Sequence, residues 1–355
     1  MRLEERLGQI IPVSEEAMEQ ARMRWSHVAK PLGSLGVLEE AVVKIAGIQR
    51  RERICIDKKA LVIMCADNGV VAEQVTQTGQ EVTAVVTENF TRGDSCACIM
   101  ARQAGVDVVP VDIGVASDLE SCGNTCPLIR RKIAYGTKNM RTEPAMTRAE
   151  TEKAIETGIC LTADLKKQGY DLLAVGEMGI GNTTTSSAVA SVLLGMESSL
   201  LTGRGAGLSD EGLARKREVI SEAVSLHRPD PEDPVDVLSK VGGLDLAGLV
   251  GVFLGGAICR MPVVLDGVIT AAAALAACCL CPHAAGYLIA SHVSAEPAGR
   301  LILKRLGLKA AVDGGLCLGE GTGAMAFMPM LSMAADIYLH MSTFEEIRIE
   351  EYRPL

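Results

Sequence analysis

The stretch Asp171 to Gly195, DLLAVGEMGIGNTTTSSAVASVLLG, decides the fold. Leu172, Leu173, Ala174 and Val175 are a short apolar run, which predicts a parallel strand buried on both faces. A turn dense in glycine follows (Gly176, Gly179, Gly181), then a polar block from Asn182 to Ser187. Ala188 to Leu194 reads as a helix packed against apolar neighbours. Glycines let a backbone approach a ligand closely, and the first N–H groups of a helix favour an anion. Strand, glycine turn, polar block and helix together predict a phosphate cradle. An ordinary strand-to-helix turn capped by threonine is the plainer alternative. No lysine completes a Walker GxxxxGK[ST] loop, and the order GxxGxG differs from the dinucleotide fingerprint GxGxxG.

The same grammar repeats along the chain. Apolar runs at 60–66, 106–112, 262–267 and 287–290 read as buried strands, each followed by polar or glycine-rich turns. Helical patterns lie at 37–48, 81–90, 95–104, 147–168, 209–225, 235–257 and 268–281. Segment 235–257 is read as one helix with Gly242-Gly243 inside it. Residues 116–145 read as irregular and polar, and Arg130-Arg131-Lys132 as a solvated face. Alternation of strand and helix predicts an α/β fold, a Rossmann-like, mostly parallel sheet with helices on both faces. Ligands in such sheets sit past the carboxyl ends of strands, which places Asp67, Asn68 and the loop 70–80 on the candidate active-site side.

Length and composition narrow the function. The 355 residues suffice for a large core, and the net charge of −9 argues against a nucleic-acid or anionic-membrane binder. No signal peptide is read at the N-terminus, and the longest apolar run, 267–281, is short for a membrane span. A soluble, cytoplasmic protein is expected, with its twelve cysteines mostly reduced. Their spacing matches no zinc pattern, so no metal is expected.

Two further stretches carry chemistry. Gly203-Arg204-Gly205-Ala206-Gly207 precedes a helix carrying Lys216, a combination that suits a phosphate or ribose as well as a plain flexible loop. Leu318-Gly319-Glu320-Gly321-Thr322-Gly323 sets a carboxylate between glycines before a long apolar helix. Apolar surroundings would raise its pKa towards general-base duty; a helix N-terminal acid is the alternative.

These pieces together resemble one family over nearly the whole chain, the nicotinate-nucleotide–dimethylbenzimidazole phosphoribosyltransferases. The resemblance rests on Lys30-Pro-Leu-Gly-Ser-Leu-Gly36, Ala66-Asp-Asn-Gly-Val70, Gln80-Glu-Val-Thr83, Gly176-Glu-Met-Gly-Ile-Gly-Asn-Thr-Thr184, Pro262-Val-Val-Leu-Asp-Gly267, Ser291-His-Val-Ser-Ala-Glu296 and the glycine-flanked Glu320. It implies transfer of 5-phosphoribosyl from nicotinate mononucleotide to an aromatic base, in cobalamin lower-ligand synthesis. Glu320 would be the general base. The donor would contact Glu177, Gly179, Asn182, Thr183, Gly203, Gly205, Lys216, Ser291 and Gly319. The acceptor base would contact Asn68, Thr78, Val85, Leu318 and Glu320. No cofactor is implied. The resemblance also implies a large domain over 58–325, a small helical lobe from 1–50 and 326–355, and a dimer whose partner completes the pocket. Family members often carry histidine at Asn68, a glutamine at Val85 and proline at Gly79. Two alternatives to benzimidazole transfer remain, the first from the loss of polarity at Val85 and the second from a different class of function. One is a phenol or p-cresol transferase, as part of a heterodimer; the other is an inactive nucleotide-binding partner subunit.

Overall fold

Six runs of extended chain form one sheet in the computed structural model, which describes residues 3–120 and 122–352. They are β1 (Lys59–Ala66), β2 (Asp107–Gly114), β3 (Ile129–Arg130), β4 (Leu172–Met178), β5 (Val263–Leu265) and β6 (Leu288–Ala290). Their order is β3-β2-β1-β4-β5-β6, and every pairing is parallel. The expected Rossmann-like α/β fold is therefore present. From β1 the chain winds outward to β2 and β3; from β4 it winds the other way. The point of reversal lies between β1 and β4, where open α/β sheets leave a crevice at the strands' carboxyl ends.

Fifteen helices cover the sheet among the described residues. In chain order they are α1 (Leu3–Leu7), α2 (Glu15–His27), α3 (Val37–Gln49), α4 (Glu81–Arg92), α5 (Cys96–Ala104), α6 (Arg148–Lys167), α7 (Asn182–Leu194), α8 (Ser198–Leu201), α9 (Asp210–His227), α10 (Pro234–Val241), α11 (Leu244–Ile258), α12 (Val268–Leu280), α13 (Pro297–Leu306), α14 (Thr322–His340) and α15 (Phe344–Ile347). The strands divide the core by parity. Val62, Met64, Leu173 and Val175 face α6, α11 and α12, while Leu61, Ile63, Leu172 and Ala174 face α3, α5 and α14. Alternate side chains of a strand point to opposite faces, so a continuous apolar run buries both.

Small residues let helices sit close to one another. A Cβ at Gly158 would collide with the carbonyl of Gly248, and one at Gly251 with that of Ile155. This explains why α6 and α11 carry glycine where helix propensity disfavours it. The chain ends meet on the α3 side: Arg24 donates to the Tyr338 carbonyl at 2.8 Å, and Val28 bridges Thr343.

Three local expectations are corrected. The polar block after β4 is not a prelude to a helix: α7 begins at Asn182, so Thr183 to Ser187 form its first turns. Segment 235–257 is two helices, because Gly242 and Gly243 adopt extended backbone between α10 and α11. The region 116–145 contains the edge strand β3, and its basic cluster is not simply solvated. Lys132 donates to the carbonyls of Val115 and Ser117 and lies 3.5 Å from Asp112.

Candidate active site

The carboxyl ends of β4, β5 and β6 converge on a cavity of about 250 Å³. Glu177, Met178 and Gly179 end β4; Asp266 follows β5; His292 follows β6. The loops 75–78, 204–208 and 317–320 form the walls. Gln77 on the first loop donates to the Gly207 carbonyl on the second, which ties the two together across the mouth.

One end of the cavity is built for an anion. Gly181 caps α7 with no side-chain hydrogen bond, so the positive end of the helix dipole points at the cavity. Lys216 on α9 stands just behind this end and donates to Thr183 Oγ1 at 2.7 Å, close to Gly205. Burial pushes its ammonium down to about 8; Glu296 pulls the other way, yet no ion pair involving Lys216 is found among the described residues. A buried ammonium compensated only at a distance by the Glu296 carboxylate can take a further anionic partner.

The other side is rich in carboxylates. Glu177 is buried and accepts from the Asn182 amide, which also donates to Asp245 at 3.1 Å. Burial first, then the charge of Asp245, pushes Glu177 up to about 8; burial alone dominates in raising Asp245 to about 6. Glu320 is half-buried and raised to about 7, chiefly by burial and then by Cys98 and Asp266. A carboxylate with its pKa near neutrality is matched to proton abstraction. Its backbone is unusual: Gly319, Glu320 and Gly321 have φ of 88°, 60° and 86°. Gly176 of β4 lies directly beneath, where a Cβ would fall 2.5 Å from the Glu320 backbone. Both neighbours of Glu320, and the residue below it, must therefore be glycine.

Between the two ends the lining is apolar or hydroxylic: Val75, Thr76, Thr78, Met178, Ile180, Cys317 and Leu318. Leu318 is exposed on the cavity wall. Such a surface suits the faces of a flat aromatic ring.

The residues singled out from sequence fall into three groups. Glu177, Gly179, Asn182, Thr183, Gly205, Gly319, Glu320, Thr78 and Leu318 line the cavity. Lys216, Ser291 and Gly203 stand immediately behind it: Ser291 is buried against His292 Nδ1 at 3.0 Å, and Gly203 packs on the Glu296 carboxylate. Asn68 and Val85 are not in its lining. Asn68 is fully buried beneath the turn of Gly179 and Gly181, and Val85 is 63% exposed on α4. Sequence reading missed Asp245, Arg204, Cys317 and the roles of Asp266, His292 and Glu296. Asp245 was hidden by reading through Gly242-Gly243; the helix start there was the available signal.

Comparison with known proteins agrees with this fold. A family model described as phosphoribosyltransferase matches residues 10–349. The nicotinate-nucleotide–dimethylbenzimidazole phosphoribosyltransferase of Ruminiclostridium cellulolyticum is 46% identical over 356 residues, covering 100% of both chains. That of Acetivibrio thermocellus is 46% identical over 340 residues, 96% of each chain. The crystal structure of CobT from Thermus thermophilus superposes with a TM-score of 0.89 at 40% identity, covering 94% of this chain and 99% of that one. The chain belongs to the nicotinate-nucleotide–dimethylbenzimidazole phosphoribosyltransferase family.

Proposed function

We propose that this protein transfers 5-phosphoribosyl from nicotinate mononucleotide to 5,6-dimethylbenzimidazole, giving α-ribazole 5′-phosphate and nicotinate for cobalamin lower-ligand synthesis. The observation that carries the reading is the cavity's polarity: the buried Lys216 behind one end, held by Thr183, and the near-neutral Glu320 at the other, with an apolar slot between. The phosphate binds at Lys216 and Thr183, at the N-terminus of α7. The aromatic acceptor lies against Leu318 and Thr78, with its N–H towards Glu320.

The chemistry then balances without a cofactor. An acceptor nitrogen attacks C1′ from the face opposite nicotinate, and the C1′–N bond breaks with its electron pair going to the pyridinium nitrogen. Nicotinate leaves by losing a positive charge, so it needs no general acid. The acceptor does need to lose a proton, and Glu320 takes it. Positive charge builds on the ribose in the transition state; Glu177 lies on the cavity floor against Gly319, where it orients the Asn182 amide.

The family dimer is the proposed assembly, because the cavity is open on one side. A small lobe built from both chain ends accords with the packing of α2 on Tyr338. A cytoplasmic location accords with twelve free cysteines. Benzimidazole is favoured over a phenolic acceptor, since Val85, the substitution that suggested phenol, does not line the cavity of this chain. Incubating the purified protein with nicotinate mononucleotide and equal 5,6-dimethylbenzimidazole and p-cresol, with products read by mass, tests this. Benzimidazole nucleotide as the main product is expected. A cresol nucleotide would reassign the acceptor, and no product would contradict transfer by this chain alone.

A further inference from the structure

The turn that presents Glu320 is energetically unfavourable, and something must hold it. A non-glycine residue in the left-handed region is sterically disfavoured, and Glu320 sits there at φ 60°. The fixed neighbour is Asp266, which is fully buried just after β5. Its Oδ2 accepts from the Gly321 N–H at 3.1 Å and its Oδ1 from the Ala324 N–H at 3.0 Å. One carboxylate thus grips both the turn and the first residues of α14. The aspartate is itself fixed, since its backbone N–H donates to Thr270 Oγ1 at 2.9 Å. His292 closes the arrangement from β6: its ring lies so close to Gly323 that any Cβ there would overlap it.

We infer that Asp266 is a positioning residue for the transfer reaction: its carboxylate clamps the Gly319–Gly321 turn so that Glu320 meets the acceptor's N–H. The inference rests on the proposed role of Glu320 as base. Asp266 points its acceptors at backbone and not into the acceptor slot, so it acts through the turn. Other charges facing Glu320 are Glu177 on β4 and Cys98 on α5, and His292 faces Asp266. Burial and the Asp266 charge both hold the Glu320 carboxyl above its ordinary value. Removing the aspartate's charge therefore lowers the pKa of Glu320 and weakens it as a base.

The test compares Asp266→Asn, Asp266→Glu and Glu320→Gln in the full-length protein, with nicotinate mononucleotide and 5,6-dimethylbenzimidazole as substrates. Thermal melts and nucleotide binding serve as folding controls. For Asp266→Asn, turnover is expected to fall tenfold or more, and the acid limb of kcat/KM to move to lower pH. Asp266→Glu keeps the charge but displaces the turn, so turnover falls while the limb stays in place. Asp266→Asn with wild-type turnover, or with slowed turnover and an unmoved limb, overturns the inference. Should Asp266→Asn fail to fold, wild-type turnover in Asp266→Glu overturns it equally. Full activity in Glu320→Gln would instead remove the base assignment, a separate failure.

Discussion

Lys216 Nζ donates to Thr183 Oγ1 across 2.7 Å, joining α9 to the first turn of α7 at the anion end of the cavity. The two residues are brought together because β4 delivers α7, and α9 folds back along it. Removing the charge with Lys216→Met is expected to lower kcat/KM for nicotinate mononucleotide about 10- to 100-fold, the scale of a charged hydrogen bond. The KM for the acceptor base should change little. Steady-state kinetics with each substrate varied in turn would check this. An unchanged kcat/KM would remove Lys216 from phosphate binding.

The depressed pKa of Lys216 also has a pH signature. In the free enzyme the ammonium loses its proton near pH 8, so kcat/KM for nicotinate mononucleotide should fall as pH rises through about 8. That basic limb should vanish in Lys216→Met. Its persistence would assign the limb to another group.

Glu177 predicts a pH-dependent stability. Its pKa is raised in the folded protein to about 8, against the ordinary glutamate value of 4.5. The folded state therefore holds the proton longer than the unfolded state, and stability is lost as pH rises from about 4.5 through about 8. Glu177→Gln should consequently stabilise the fold at about pH 8.5 and make little difference at about pH 4. Denaturant melts at both values would show it; an equal effect at both would contradict the buried-acid account.

Glycine at the α6–α11 crossing is a packing requirement. Gly251→Ala should destabilise the protein by about 1–3 kcal/mol through overpacking against the Ile155 carbonyl. A melting temperature equal to wild type would show that the helices can separate without cost.

Leu318 and Val85 make a contrast on the acceptor side. Leu318 lines the cavity and is exposed until a ring covers it, so Leu318→Ala should raise the acceptor KM roughly tenfold. Val85→Gln should leave the benzimidazole-to-phenol preference unchanged. A shifted ratio would bring α4 into the pocket.

Much of this was legible in sequence. Short apolar runs such as Leu172–Val175, bounded by turn signals, read as strands buried on both faces, and their alternation with helices points to a parallel sheet. The glycines around Glu320 announced a carboxylate at a close backbone approach. Side-chain direction was less readable. Asn68 and Val85 lie near the right loops in sequence, but one side chain lies under the Gly179–Gly181 turn and the other points towards solvent. Asp245 and Asp266 come from α11 and the end of β5, and only the strand order brings them beside β4 and α14. A pair such as Asp266 and Gly321, fifty-five residues apart, has no local signal at all.

The central claim is that Glu320 takes the acceptor's proton in a phosphoribosyl transfer. The most direct measurement is turnover of nicotinate mononucleotide and 5,6-dimethylbenzimidazole by wild type and Glu320→Gln, beside equilibrium binding of the nucleotide to both. The wild type should release nicotinate and α-ribazole 5′-phosphate, with activity falling as pH drops through about 7. Glu320→Gln should bind the nucleotide normally and turn over about 10²-fold or more slowly. Near-normal turnover in that variant would contradict the account.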